Sequence, residues 1–257
     1  MSFAQSTGLP ISTQTRDRLG RVRERAVLDL VLAYGLILAT IWTPRPLQQY
    51  VYMAAAAWIV VSTWRSFPGW NILGFRTGGF WQSSWVMGAA LLLAVAAVTV
   101  AVRLHTLREP ISGRGLIMTF GGYVVWSFAQ QFLLQGYFLH RFRQLLSSDS
   151  AAALAAAGIF AAAHLPNPIL TPVTLIWGLC ACFVFLRYRN IYPLAVAHAI
   201  LGICVAITIP GPVVHNMRVG LGYLRYHMPH AHTRSVGAIS CPQPAPSPAG
   251  RARGSAA

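Results

Sequence analysis

The chain has 257 residues, 55% of them hydrophobic and only 10% charged, with a mean hydropathy of +0.53 and a formal charge of +15. A balance this apolar excludes an ordinary water-soluble domain and points to an all-α, polytopic integral membrane helix bundle. All 20 basic residues are arginines. Arginines flanking membrane spans beside anionic lipid headgroups account for the charge, so membrane lipids are expected partners and nucleic acid is not.

Residues 1–25 carry five arginines and no apolar run, which reads as a cytoplasmic segment ahead of an uncleaved signal anchor. From there to residue 210, apolar runs can be measured against the ~20 residues that cross a bilayer. They fall at 26–42, 50–64, 84–102, 116–139, 151–165, 171–186 and 191–209, giving about seven transmembrane helices. With the N-terminus inside, eleven arginines lie in cytoplasmic segments and four (Arg45, Arg103, Arg108 and Arg114) in outer loops, as the positive-inside rule asks. Five more arginines lie in the 211–257 tail, which seven spans leave outside, against that rule. The tail is basic and rich in Pro, Ser and Ala, and from about residue 233 it has too few large apolar groups to pack, so disorder is expected there. Cys180, Cys182 and Cys204 read as buried small hydrophobes within spans, and no Cys-x-x-Cys pair suggests a zinc ribbon. Of the five acidic residues only Asp29 falls inside a span, one turn from its end, where a solvated or Arg25-paired carboxylate is expected.

The polar residues inside the later spans need a reason. Ser127, Gln131 and Gln135 repeat every four residues, which stacks them on one helix face with Gln130 beside them. Phe160 and His164 are four apart, and so are His198 and Gly202. At 1.5 Å per residue, counted from Arg141, Arg189 and Ser150 at the cytoplasmic surface, Gln131 lies ~15 Å, His198 ~13 Å and His164 ~21 Å deep. Polar groups at such depth face the bundle interior, pair with each other or line a wet cavity. Two readings stay open: one shared functional pocket, or hydrogen bonds that simply glue helices together.

In order and spacing, QQFLLQ, FAAAH and HAILG resemble the three motifs of the CAAX prenyl protease and bacteriocin-processing (abortive-infection-like) family of intramembrane metallopeptidases: Glu-Glu-x-x-x-Arg, Phe-x-x-x-His and His-x-x-x-Asn/Asp. The resemblance covers about residues 70–210. It places Gln130 and Gln131 at the two glutamates, Gln135 at the arginine, His164 and His198 at the catalytic histidines, and Phe160 and Gly202 at supporting positions. It implies an endopeptidase in a bacterial plasma membrane, acting on an apolar or prenylated peptide tail in a pocket lined by the fourth, fifth and seventh spans.

The departures alter that expectation. A glutamine neither accepts a proton near neutral pH nor competes as a metal ligand with carboxylate or imidazole. Any divalent metal such as zinc would rest on His164 and His198 alone and bind weakly if at all. The role of base is left to a histidine, for which a neutral imidazole is suited. Replacing both glutamates and the arginine together also avoids an unpaired buried charge. A catalytically inactive relative that binds a lipid-like or peptide ligand in the same pocket is therefore the alternative.

Overall fold

The computed structural model describes residues 13–108 and 113–226, and it is all-helical over them. The tail from 227 on, with its expected disorder, lies outside the described residues, as do residues 1–12 and the carboxylate of Glu109. All seven expected spans fall on helices.

The first, α1 (Thr13–Trp42), begins well before the apolar run, so part of the Arg-rich segment is its first turns. It is followed by α2 (Leu47–Arg65), the single turns α3 (Trp70–Leu73) and α4 (Phe80–Ser83), and α5 (Trp85–Arg103). Next comes one long polar-bearing rod: α6 (Gly113–Gln131), a π-helical stretch (Phe132–Leu139) and α7 (His140–Leu145). Three apolar helices follow, α8 (Asp149–Ala162), α9 (Leu170–Tyr188) and α10 (Tyr192–Thr208). Two short turns, α11 (Gly211–Val214) and α12 (Gly220–Leu224), close the described chain. Among the described residues α1, α4–α5 and α9 contain stretches long and apolar enough to cross a membrane, while α8 and α10 are apolar but shorter.

Lipid tails are as apolar as leucine, so burial of leucine alone does not drive these helices together; close packing of small residues does. Helix α8 buries Ala152, Ala153, Ala156, Ala157 and Ala161, and it meets α9 where a Cβ on Gly178 would lie 3.2 Å from the Ala157 methyl. Large side chains such as Leu91, Leu92, Leu93, Trp81 and Ile176 are exposed on the outside, the pattern of a bundle whose solvent is hydrocarbon.

Loop polar groups are used as local fasteners. Ser148 caps α8 by accepting from Ala151 N at 3.0 Å. Asn167 is fully buried; its carbonyl accepts from Ile169 N and Leu170 N at the start of α9, and its amide donates to Val214 O and Arg218 O. That pins residues 211–226, the beginning of the expected tail, against the bundle.

Two expectations are corrected. Asp29 is neither solvated nor paired with Arg25. It forms an ion pair with Arg141 at 3.0 Å, and Arg141, expected in a cytoplasmic loop, is only 3% exposed. Arg141 also donates to Tyr137 O and Ser66 Oγ and lies over the Tyr137 ring, whose hydroxyl bonds Ser62 Oγ at 2.8 Å. The physical reason is continuation of the fourth span as a helix through α7, which turns Arg141 inward to α1. Likewise Cys182 and Cys204 are buried but Cys180 is exposed, because residues two apart point to opposite sides of a helix.

Candidate active site

The four-residue stripe on α6 holds, and it begins one turn earlier than the sequence expectation. Tyr123, Ser127, Gln131 and Gln135 follow one another at the same spacing, with Ser127 Oγ donating to Tyr123 O at 2.9 Å. The stripe crosses from α-helix into the π-helical stretch directly after Gln131. Such stretches are rare and are found often at functional sites.

Gln131 is 0% and Gln135 1% exposed. Gln135 Nε2 donates to Gln131 Oε1 at 2.7 Å, and Gln131 Nε2 donates to His198 Nδ1 at 2.8 Å. These three side chains form one directional relay of neutral groups between α6 and α10. Because Nδ1 accepts with the amides oriented this way, His198 is the tautomer whose Nε2 carries the hydrogen.

His164 has the opposite arrangement. Its Nδ1 lies 2.8 Å from Phe160 O, a carbonyl that can only accept, so Nδ1 carries the hydrogen and Nε2 is the basic nitrogen. Phe160 stands between the two histidines, its ring centroid 5.0 Å from that of His164 and 6.1 Å from that of His198, and Trp177 of α9 covers His198 at 5.8 Å.

A cavity of about 1080 Å³ connects these groups; Gln130, Phe160, His164, Trp177, His198 and Gly202 all line it. Gln131 and Gln135 stand behind its wall and reach it through His198. The cavity also uses α1 (Tyr34, Ile37), α2 (Tyr52, Ile59) and Trp177, which the expectation of a pocket among the fourth, fifth and seventh spans left out. Tyr123 was legible as the next member of the stripe. Trp177 had no signal, since it sits in an apolar run like any lipid-facing tryptophan.

Two buried atoms in this region have no hydrogen-bond partner among the described residues: Gln135 Oε1 and Trp177 Nε1. Gly202, at the last motif position, packs against Tyr123; a Cβ there would meet the tyrosine hydroxyl and come within 2.6 Å of ring carbon Cε1.

The donor set available to a metal is two imidazoles, with amides where the family has carboxylates. Among the described residues no three His, Cys, Asp or Glu side chains gather in one place, and Gln131 already occupies His198 Nδ1. These residues do not fit the three strong protein ligands of a catalytic zinc.

Residues 112–204 match the family described as type II CAAX prenyl endopeptidase Rce1-like. The match begins later than the expected residue 70 but contains all three motif positions, from Gln130 to Gly202. No curated protein and no solved structure matches the chain. Residues 112–204, about a third of the chain, are thus similar to the type II CAAX prenyl endopeptidase family, and the helical bundle gathers Gln130, His164 and His198 of that stretch on one cavity.

Proposed function

We propose that the chain is a CAAX-protease-like intramembrane endopeptidase that cleaves an apolar or prenylated peptide tail with a histidine in place of the family's glutamate. The observation that carries this reading is the opposite polarity of two histidines on one cavity: His164 offers a bare Nε2, and His198 offers an Nε2–H. His164 takes a proton from water as the oxygen attacks the peptide carbonyl carbon. His198 and the amide of Gln130 donate to the oxygen that becomes negative, and His164 returns the proton to the departing amine as the C–N bond breaks. No metal takes part in these steps.

Cleavage of a farnesylated peptide by the purified protein tests it. His164→Ala and His198→Ala should each abolish cleavage; cleavage that survives both changes sinks the mechanism. A second reading, a catalytically inactive relative that binds its ligand in this cavity, is favoured by the wholly neutral relay Gln135–Gln131–His198, which suits hydrogen bonding as well as catalysis. Peptide binding without any turnover selects it.

The same reading puts the N-terminus in the cytoplasm, on the strength of the arginine bias, and takes the membrane to be a bacterial plasma membrane from the family resemblance alone. Reporter fusions after residue 148 should be active only on the cytoplasmic side.

A further inference from the structure

The cavity is not uniform along its length. Thirty-eight of the described residues line it, with Arg45, Arg218 and Arg225 among them and no Asp or Glu among those described. On α2 the lining runs from Gln48 to Val60, ~18 Å at the helical rise. Arg45 and Arg218 are both exposed, at one end, whereas Phe160, Trp177 and His198 belong to the inner part.

The two arginines come from separate segments that meet. Arg45 follows the end of α1, and Arg218 precedes Gly220, whose Cα is so close to Ile41 of α1 that a Cβ would lie 2.7 Å from the Ile41 carbonyl oxygen. Both segments are fixed: Gln48 donates to Thr40 O at 3.0 Å, and Asn167 donates to Arg218 O at 3.1 Å. The ion pairs among the described residues, Arg141–Asp29 and Arg143–Asp149, use neither of them.

We propose that this cavity holds a single-chain amphiphile whose anionic head sits on Arg45 and Arg218 and whose apolar chain runs inward towards Phe160 and Trp177. Charge complementarity selects the head: a cationic rim with no carboxylate among the described lining residues attracts a carboxylate or phosphate and disfavours a cation. The volume of about 1080 Å³ is at the top of the ~300–1,000 Å³ typical of ligand sites, which leaves room for a long chain. The proposal deepens the reading of this cavity as a ligand site and rests on it for the cavity alone; it makes no use of the histidine chemistry.

The test uses full-length protein in phosphatidylcholine nanodiscs, with protein-free discs subtracted. The probes are cis-parinaric acid, its methyl ester and farnesyl monophosphate, the first two read by energy transfer from tryptophan and the third by competition. The acid should bind about tenfold more tightly than the ester, and Arg45→Gln with Arg218→Gln should erase that difference while leaving thermal unfolding unchanged. Tighter binding of the monophosphate names phosphate as the head; tighter binding of the acid names carboxylate. Ala163→Trp, or Ala56→Trp if the first fails to fold, fills the cavity and should weaken acid and ester alike. Equal binding of acid and ester overturns the proposal, as does an unaffected double arginine variant or an unaffected cavity-filling variant. Repeating the binding with His164→Ala separates the two readings: binding kept while cleavage is lost supports the amphiphile site whatever becomes of the peptidase mechanism.

Discussion

The phenol of Tyr123 occupies the space that a side chain at Gly202 would need. Where the family carries Asn or Asp at the end of its third motif, this chain has removed the side chain and filled the volume from α6. Gly202→Asn should therefore destabilise the protein by about 1–3 kcal/mol through overpacking. Adding Tyr123→Ala should recover most of that loss, a coupling that a thermal-unfolding double-mutant cycle measures directly. Additive losses would mean that the two positions do not compete for the same space.

The relay between Gln131 and Gln135 sets how a catalytic carboxylate can be restored. Gln131→Glu alone introduces an acid at a fully buried position beside a neutral partner, so it should lower stability or remain protonated and inactive. With Gln135→Arg also present, the 2.7 Å contact becomes an ion pair, and Gln130→Glu completes the family motif. If a general acid or base is what this site lacks, the triple variant should cleave a farnesylated peptide about 10²–10⁴-fold faster than wild type. The comparison is valid only for a variant shown to fold, and the gain should vanish with His198→Ala. A slower triple variant would show that the glutamine site is a working catalyst of its own kind.

Breaking the pair between Asp29 and Arg141 should be costly. Arg141 is 3% exposed, and without its carboxylate it is an uncompensated buried cation; Asp29→Ala should cost about 3–5 kcal/mol. Asp29→Leu combined with Arg141→Met should restore much of the stability, since buried pairs can often be replaced by apolar packing. Equilibrium unfolding in mild detergent distinguishes the single from the double variant.

A milder, pH-dependent contribution comes from the loop before α8. Arg143 bonds Asp149 at 2.6 Å and holds its carboxyl below the usual carboxylate range. A carboxyl whose value is depressed on folding contributes stability above its unfolded value and loses it as pH falls through the folded one. The protein should thus lose this increment on acidification from the ordinary carboxylate range downward, and Asp149→Asn should flatten that part of the profile of Tm against pH. The pair is open to solvent, so the change is small and should shrink further in high salt.

How much of this was legible beforehand depends on which residues carried a pattern. The seven helices followed from apolar runs, and the meeting of Gln131 with His198 followed from two polar groups at similar depth with nowhere else to go. Side chains spaced by four also gave the Gln131–Gln135 bond. Arg141 was misread because a span was ended at the first arginine, although a buried arginine is stable once an aspartate from another helix reaches it. The contributions of α1 and α2 to the cavity were invisible, because Tyr34, Ile37, Tyr52 and Ile59 look in sequence like any other apolar residues of a span. The separation of Gln130, on the cavity, from Gln131, behind its wall, needed the helix orientation that only packing decides.

The π-helical stretch makes the length of this helix a hidden part of the site. Each of its turns takes up one residue more than an α-turn, so Gln131 can face α10 while Tyr137 and Arg141 face α1 and α2. Rewinding the same residues as ordinary α-helix, with none deleted, would swing everything after them by about 100°, because the residue that the wide turns absorb would then add its own rotation. Asp29 would lose its arginine although neither residue had been touched. Conversely, a chain one residue shorter in this stretch keeps both the Gln131 face and the Arg141 anchor by winding as ordinary α-helix, so the length of this helix and its winding have to change together.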